Sequence, residues 1–280
     1  MKTKTKILAL AGLTGLAWIG VTAVMAVHQR KMVFNPAVDP EVYRPKSGGH
    51  RTRAVALRAT DGTRLSGWLM TPDCAGPHPA VIYFGGRSEE VSWVARDAGR
   101  LFPGMTVLAV NYRGYGQSLG SPGEADMVSD GKMLFDWLVG RAHVDAARIA
   151  VVGRSLGSGV AVQVATARPA HSLVLLTPYD SILALAQRKF RGVPVGFVLR
   201  HRFESDRHAH ALTAPTLVLR AAVDKVVPHS HTDRLVARLR HLKFDEIVAA
   251  SDHYNIPYLP ATQDRIATFL TDRFMLLQAA

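Results

Sequence analysis

Cysteine is almost absent: Cys74 stands alone in 280 residues. That excludes an intrachain disulfide and any cysteine-based zinc site. It says little about compartment, since exported proteins need no disulfide. Acidic residues are the scarce charge, 22 against 34 Lys and Arg, which leaves a formal charge of +12. Such a balance raises nucleic acid and anionic membrane as partners. The chain has no zinc-finger spacing, no RNA-binding aromatic signature and no long Lys/Arg block, so nucleic acid is set aside. A basic face against acidic lipid headgroups is the more economical reading. Internal repeats and low-complexity tracts are also missing. What remains is an ordinary globular composition, 48% hydrophobic and 20% charged. One domain of about 230–250 residues with an N-terminal extension fits it better than two small domains.

The extension covers residues 1–31. Ile7 to Val27 is nearly unbroken apolar or small, after Lys2, Lys4 and Lys6 and before His28, Arg30 and Lys31. The run is long enough for one membrane span, which takes about 20 residues, and is read as a signal anchor. A cleaved signal peptide is the competing reading, with a small-residue site at Val24-Met25-Ala26. Three lysines and the α-amino group place the N-terminus in the cytoplasm. The rest of the chain would then lie outside that membrane, periplasmic in a Gram-negative source. Residues 32–52 read as a Pro- and Gly-punctuated linker.

From residue 53 to 280 the pattern is that of an α/β fold. Arg53 to Ala59 and Arg64 to Met70 alternate around Asp61-Gly62, which predicts a hairpin. Continuous apolar runs at Ala80–Phe84 and Met105–Val110 predict strands buried on both faces, and further strands are expected at Arg148–Val152, Leu173–Leu176, Thr216–Leu219 and Phe244–Ala249. Helices are expected at Glu89–Leu101, Glu124–Arg141, Leu156–Ala167, Ser230–Leu242 and Tyr258–Leu277. The alternation implies a mostly parallel central sheet with helices on both faces and the hairpin at its edge. Residues 177–213 interrupt it with a basic insert, expected as a small lid over a substrate pocket. A solvated helical cover is the plainer alternative.

Ligands sit at the carboxyl ends of such strands. Gly153-Arg154-Ser155-Leu156-Gly157 follows one strand and opens a helix. In a tight turn of this kind the central serine hydroxyl is pushed clear of the sheet, beside the free N–H groups of the helix start. Asp224 and His253 each follow a later strand. Serine is a poor nucleophile unless an imidazole takes its proton, and a carboxylate must fix that imidazole's tautomer. Ser155 is therefore expected as nucleophile, His253 as base then acid, and Asp224 as orienter, with Asp180 and Asp206 as competing acids. Backbone N–H groups of Leu156 and of the Gly85-Gly86-Arg87-Ser88 loop are expected to form the oxyanion site, Arg87 ahead of Gly86. His208/His210 and His229/His231 raise a metal, but neither pair has a recognisable third ligand. No metal or organic cofactor is implied.

Tyr83-Phe84-Gly85-Gly86-Arg87, Asn111-Tyr112-Arg113-Gly114-Tyr115-Gly116-Gln117-Ser118, Gly153 to Gly159, Asp224 to Pro228 and His253 together resemble the α/β-hydrolase superfamily. Within it they are similar to the membrane-anchored BEM46, ABHD13 and ABHD17-type serine hydrolases. The resemblance runs from about Val55 to Leu270. It implies an α/β-hydrolase fold and a serine esterase or thioesterase acting on a small or lipid-like acyl substrate through an acyl-enzyme. Gly85 and Arg87 depart from the family's His-Gly-Asn loop, and Ser251 stands where glycine usually precedes the histidine. A peptidase or amidase with the same triad is the alternative, and a non-catalytic membrane scaffold a more distant one.

Overall fold

The computed structural model describes Trp18 and residues 20–36, 42–43 and 49–275. Among these residues eight strands form one sheet, in the order β1-β2-β4-β3-β5-β6-β7-β8. β1 (His50–Arg58) and β2 (Arg64–Pro72) make the antiparallel hairpin, and β2 runs antiparallel to β4 (Thr106–Val110). β3 (His78–Phe84), β4, β5 (Val144–Arg154), β6 (Ser172–Leu176), β7 (Thr216–Val223) and β8 (Leu242–Asp252) are mutually parallel. The expected α/β architecture, with its edge hairpin, is the observed one.

Central strands alternate their side chains between two cores. Ala80, Ile82 and Phe84 of β3 enter one hydrophobic cluster, and Val81 and Tyr83 enter the other. On β5, Ile149 and Val151 divide from Ala150 and Val152 in the same way. That is why these strands read as unbroken apolar runs. The first face is covered by α3 (Glu124–Val139), α4 (Leu156–Ala167) and α8 (His229–Val236), the second by α2 (Ser92–Leu101) and α9 (Pro260–Met275). Each fully buried aliphatic side chain contributes about 1.5–3 kcal/mol.

Three differences from the sequence expectations matter for the site. α8 stops at Val236, because the chain must turn back into β8 at Leu242. β5 begins four residues early, at Val144. The expected linker is structured at both ends: β1 starts at His50, and a helix over residues 20–33, α1, runs into a fully buried Phe34. α1 buries Met25, Gln29 and Val33, one stripe at spacing i, i+4, i+8. Most of the expected anchor lies outside the described residues. Among the described residues no helix is long and apolar enough to cross a membrane.

The insert at 177–213 folds as α5 (Ile182–Lys189), α6 (Val195–Val198) and α7 (Ser205–Ala209). Polar contacts hold it at its ends. The Gln29 amide of α1 donates to Val198 O (3.0 Å) and accepts from Arg200 N–H (2.7 Å). Glu124, at the start of α3, accepts from Arg202 and Phe203 N–H at 2.7 and 3.0 Å. Asp180 accepts from Arg234 Nε at 2.5 Å and lies 2.7 Å from His231 Nδ1.

Candidate active site

Ser155, Asp224 and His253 are each the first residue after a strand, β5, β7 and β8 respectively. Ser155 adopts φ 47°, ψ −117°, a conformation that a side chain tolerates only when its surroundings impose it. Close packing does so. A Cβ on Gly157 would sit 2.2 Å from Phe84 O, and one on Gly153 2.5 Å from Gly157 O. Both positions must be glycine for the turn to pass between β3 and α4.

The register of β7 against β8 brings the other two residues together. Ala221 pairs with Val248, but Val223 pairs with Asp252, so β8 carries extra residues between those rungs. Ala250 sits there at φ 54°. Such a bulge re-aims the side chains beyond it, and here it sets Asp224 beside His253. The Ser251 hydroxyl fixes the bulge, accepting from Ala222 N–H (2.9 Å) and donating to Val248 O (2.6 Å). The departure from glycine at Ser251 thus has a structural use.

The three side chains form a hydrogen-bonded row. Ser155 Oγ lies 2.9 Å from His253 Nε2, and His253 Nδ1 lies 2.8 Å from Asp224 Oδ2. The other Asp224 oxygen accepts from Val226 and Val227 N–H at 2.9 and 2.7 Å, and its side chain is only 3% exposed. A carboxylate can only accept, so the Asp224 contact makes Nδ1 the donor nitrogen and leaves Nε2 to accept from Ser155. Of the competing acids, Asp180 is engaged by His231 and Arg234, and Asp206 lies in α7. His229 meets Ala221 O. Among the described residues no group of three His, Cys, Asp or Glu is placed to hold a metal.

Parallel pairing of Phe84 with Gly153 puts the loop after β3 beside the Ser155 turn. Gly86 is withdrawn from the expected oxyanion site, because its N–H already donates to Glu89 Oε2 at 2.6 Å. The Leu156 N–H, at the start of α4, and the Arg87 N–H have no acceptor among the described residues. Both lie in the segments that flank Ser155 and are free to meet a ligand oxygen.

Glu89 and Arg154 are what sequence reasoning missed. Glu89 was expected as the first residue of a helix, whereas α2 starts at Ser92. Its carboxylate accepts from Tyr83 Oη (2.8 Å), Trp93 Nε1 (2.8 Å), Gly86 N–H (2.6 Å) and Arg154 Nη1 (2.7 Å). Arg154 also donates to the carbonyls of His253 and Tyr254, both at 3.2 Å. Burial opposes the charge on Arg154, but the Glu89 carboxylate beside it prevails and holds the guanidinium protonated. One ion pair therefore joins the β3 loop, the serine turn and the histidine loop. A sequence signal did exist: Arg154 is a cation at the end of the apolar run from Ile149 to Gly153, and a buried cation demands a carboxylate.

Tyr112 and Arg113 are scaffold. Tyr112 Oη donates to Gly85 O (3.0 Å), and Arg113 bonds Asp130 through Nε (2.7 Å) and Asp61 through Nη1 (2.5 Å). The open site beside Ser155 has a volume of about 550 Å³.

This geometry agrees with what the chain is similar to. Residues 75–188 match the family described as serine aminopeptidase, S33. An uncharacterized protein of Mycobacterium tuberculosis, MT2364, is 32% identical over 98% of this chain and 99% of its own length. The α/β hydrolase domain-containing protein WAV2 of Arabidopsis thaliana is 27% identical, covering 81% of this chain and 80% of WAV2. The chain belongs to the α/β-hydrolase superfamily. The Pyrococcus furiosus esterase Pf2001 shares the fold, with a TM-score of 0.68 at 21% identity over 85% of this chain and 98% of that one.

Proposed function

We propose that this α/β-hydrolase is a serine hydrolase that cleaves carboxylic ester or thioester bonds through an acyl-enzyme. The observation that carries the proposal is the Ser155–His253–Asp224 row, with spacings of 2.9 and 2.8 Å. Ser155 Oγ adds to the acyl carbonyl while His253 Nε2 takes its proton. The oxyanion that forms accepts from Leu156 and Arg87 N–H. Collapse of this adduct expels the alcohol or thiol, which leaves with the proton from His253. Water then enters, His253 takes a proton from it, and addition and collapse repeat to release the acid and Ser155. Asp224 stays ionised and stabilises the imidazolium formed in each half. Only the oxyanion, not the planar ester, brings full negative charge to the two N–H groups, which is where binding becomes catalysis.

Ester cleavage is preferred over peptide cleavage on one feature. An aminopeptidase needs a carboxylate near the nucleophile for the substrate ammonium group. The two carboxylates lining the site are already in use: Glu89 by its four donors, Glu90 by Asn111 Nδ2 and Ser92 N–H, both at 2.8 Å. The N-terminal apolar run supports a single membrane anchor with the hydrolase domain on the extracytoplasmic side.

A fluorophosphonate probe is expected to label the wild-type protein and not Ser155→Ala. Short-chain p-nitrophenyl esters are expected to turn over and aminoacyl anilides not. A well-folded protein that resists the probe would sink the serine mechanism, and faster turnover of the anilides would reverse the ester assignment.

A further inference from the structure

Beside the catalytic opening lies a second cleft of about 670 Å³, a size typical of small-molecule sites. One wall is α1, through Met25 and Met32, and the other is the insert, through Ala186, Phe190, Val195 and Val198. It meets the catalytic opening along shared residues, among them Val33, Ile182, Leu185 and Val226. Among the described residues no carboxylate lines this cleft, whereas Arg87, Arg188, Lys189 and Lys225 all do. Among the described residues Arg87, Arg188 and Lys225 take part in no ion pair. An apolar trough open to the nucleophile at one side, and bordered only by cations, has one complementary occupant.

We propose that the cleft between α1 and the insert holds the hydrocarbon chain of a long-chain acyl ester whose head carries a negative charge. The assignment rests on the serine hydrolase reading and narrows it to anionic, single-chain amphiphiles. α1 is then a wall of the substrate site as well as the continuation of the apolar N-terminal run. Each methylene removed from water raises transition-state binding about fourfold, so the cleft predicts a steep dependence on chain length. The unpaired cations predict discrimination by charge at equal chain length.

The test uses the full chain in detergent. Dodecanoyl and butanoyl p-nitrophenyl esters read chain length. Monododecanoyl glycerol and its glycerol phosphate counterpart, below their micellar concentrations, read charge. With about half of its eight additional methylenes buried, the dodecanoyl ester is expected to exceed the butanoyl in kcat/KM by on the order of 10²-fold, and the phosphate ester to exceed its neutral counterpart by about tenfold. Ala186→Trp, and independently Met32→Trp from the opposite wall, should each lower dodecanoyl turnover at least tenfold while leaving butanoyl turnover within twofold. Arg188→Glu with Lys189→Glu should abolish the preference for phosphate. Butanoyl turnover equal to dodecanoyl, with neither tryptophan having an effect, would overturn the acyl cleft and leave the serine hydrolase standing. Equal rates for the neutral and phosphate esters would overturn the anionic head. No turnover of any ester, with no labelling of Ser155, would remove the underlying reading as well.

Discussion

The buried pair of Glu89 and Arg154 is the most exposing place to test the site. Their side chains are 4% and 9% exposed, and the closest oxygen–nitrogen distance is 2.7 Å. Removing one member of such a pair leaves an uncompensated buried charge, which costs about 3–5 kcal/mol. In Arg154→Met the Glu89 carboxylate keeps three donors, from Tyr83, Trp93 and Gly86, so the lower end of that range, about 3 kcal/mol, applies. For a domain of this size that is a fall in Tm of about 6–12 °C. The activity loss should be larger than the stability loss suggests. Arg154 alone reaches the carbonyls of His253 and Tyr254, and a displacement of 1 Å at a reacting group costs on the order of 10²-fold in rate. Adding Glu89→Gln removes the stranded charge while its amide oxygen still accepts from Tyr83 and Trp93. The double variant is expected to regain part of the lost Tm, because the uncompensated charge is gone while the Gly86 N–H loses its carboxylate acceptor, and none of the lost kcat, since the loops remain untied. Thermal melts and ester kinetics on the two single variants and the double variant complete the cycle. An Arg154→Met protein with wild-type Tm and wild-type kcat/KM would refute the account.

Asp224→Asn should keep the fold while lowering kcat on the order of 10⁴-fold, because an amide no longer selects the Nδ1–H tautomer; unchanged kcat in the same ester assay would point to another acid. Gly157→Ala forces a Cβ to within 2.2 Å of Phe84 O, so little soluble, probe-reactive protein is expected, and normal labelling would show that the turn relaxes. Stability should also fall as pH drops through about 6.5, in part through His201. Burial first, then the nearby Arg30 charge, lowers its pKa, so the unfolded chain binds more protons between the lowered value and the ordinary one, and stability rises with pH across that window. His201→Gln should flatten the Tm-against-pH slope there, and an unchanged slope would assign it to other groups.

The strands and the Ser155–His253–Asp224 row were legible because each obeys a local rule. A strand buried on both faces must be apolar at every position, and a reacting group in an α/β sheet must follow a strand end. Ser155, Asp224 and His253 satisfy the second rule without any residue between strand and side chain. The docking of α1 was hidden for a physical reason: Met25 lies in a run that is apolar all round and so shows no contrasting face, while Gln29 and Val33 fall beyond it, in residues that read as a charged flank and a linker. Gln29 stands among polar neighbours, and only the fold shows that its amide grips the insert. The Gly86 N–H was assigned as a possible oxyanion donor because glycine permits close approach. What decided otherwise was a carboxylate three residues later that folds back on it, a tertiary outcome stabilised by Arg154, 65 positions away.

The site is divided between parts held very differently. The reacting groups are fixed by strand ends, a register bulge and a buried ion pair, none of which can shift without breaking the sheet or exposing a charge. The cleft walls are fastened at their ends: Gln29 to Val198 and Arg200, Glu124 to Arg202 and Phe203, Asp180 to His231 and Arg234. Between those fastenings, side chains of α5 and α6 make no hydrogen bond or ion pair among the described residues, and Phe197 is 93% exposed. Substitutions there change the shape and charge of the cleft at little cost to the fold, whereas the same changes at Glu89, Arg154 or Gly157 would remove the chemistry. On the proposed reading, reaction and substrate choice are therefore separable in this chain: the sheet would fix the first, and the contact between α1 and the insert the second.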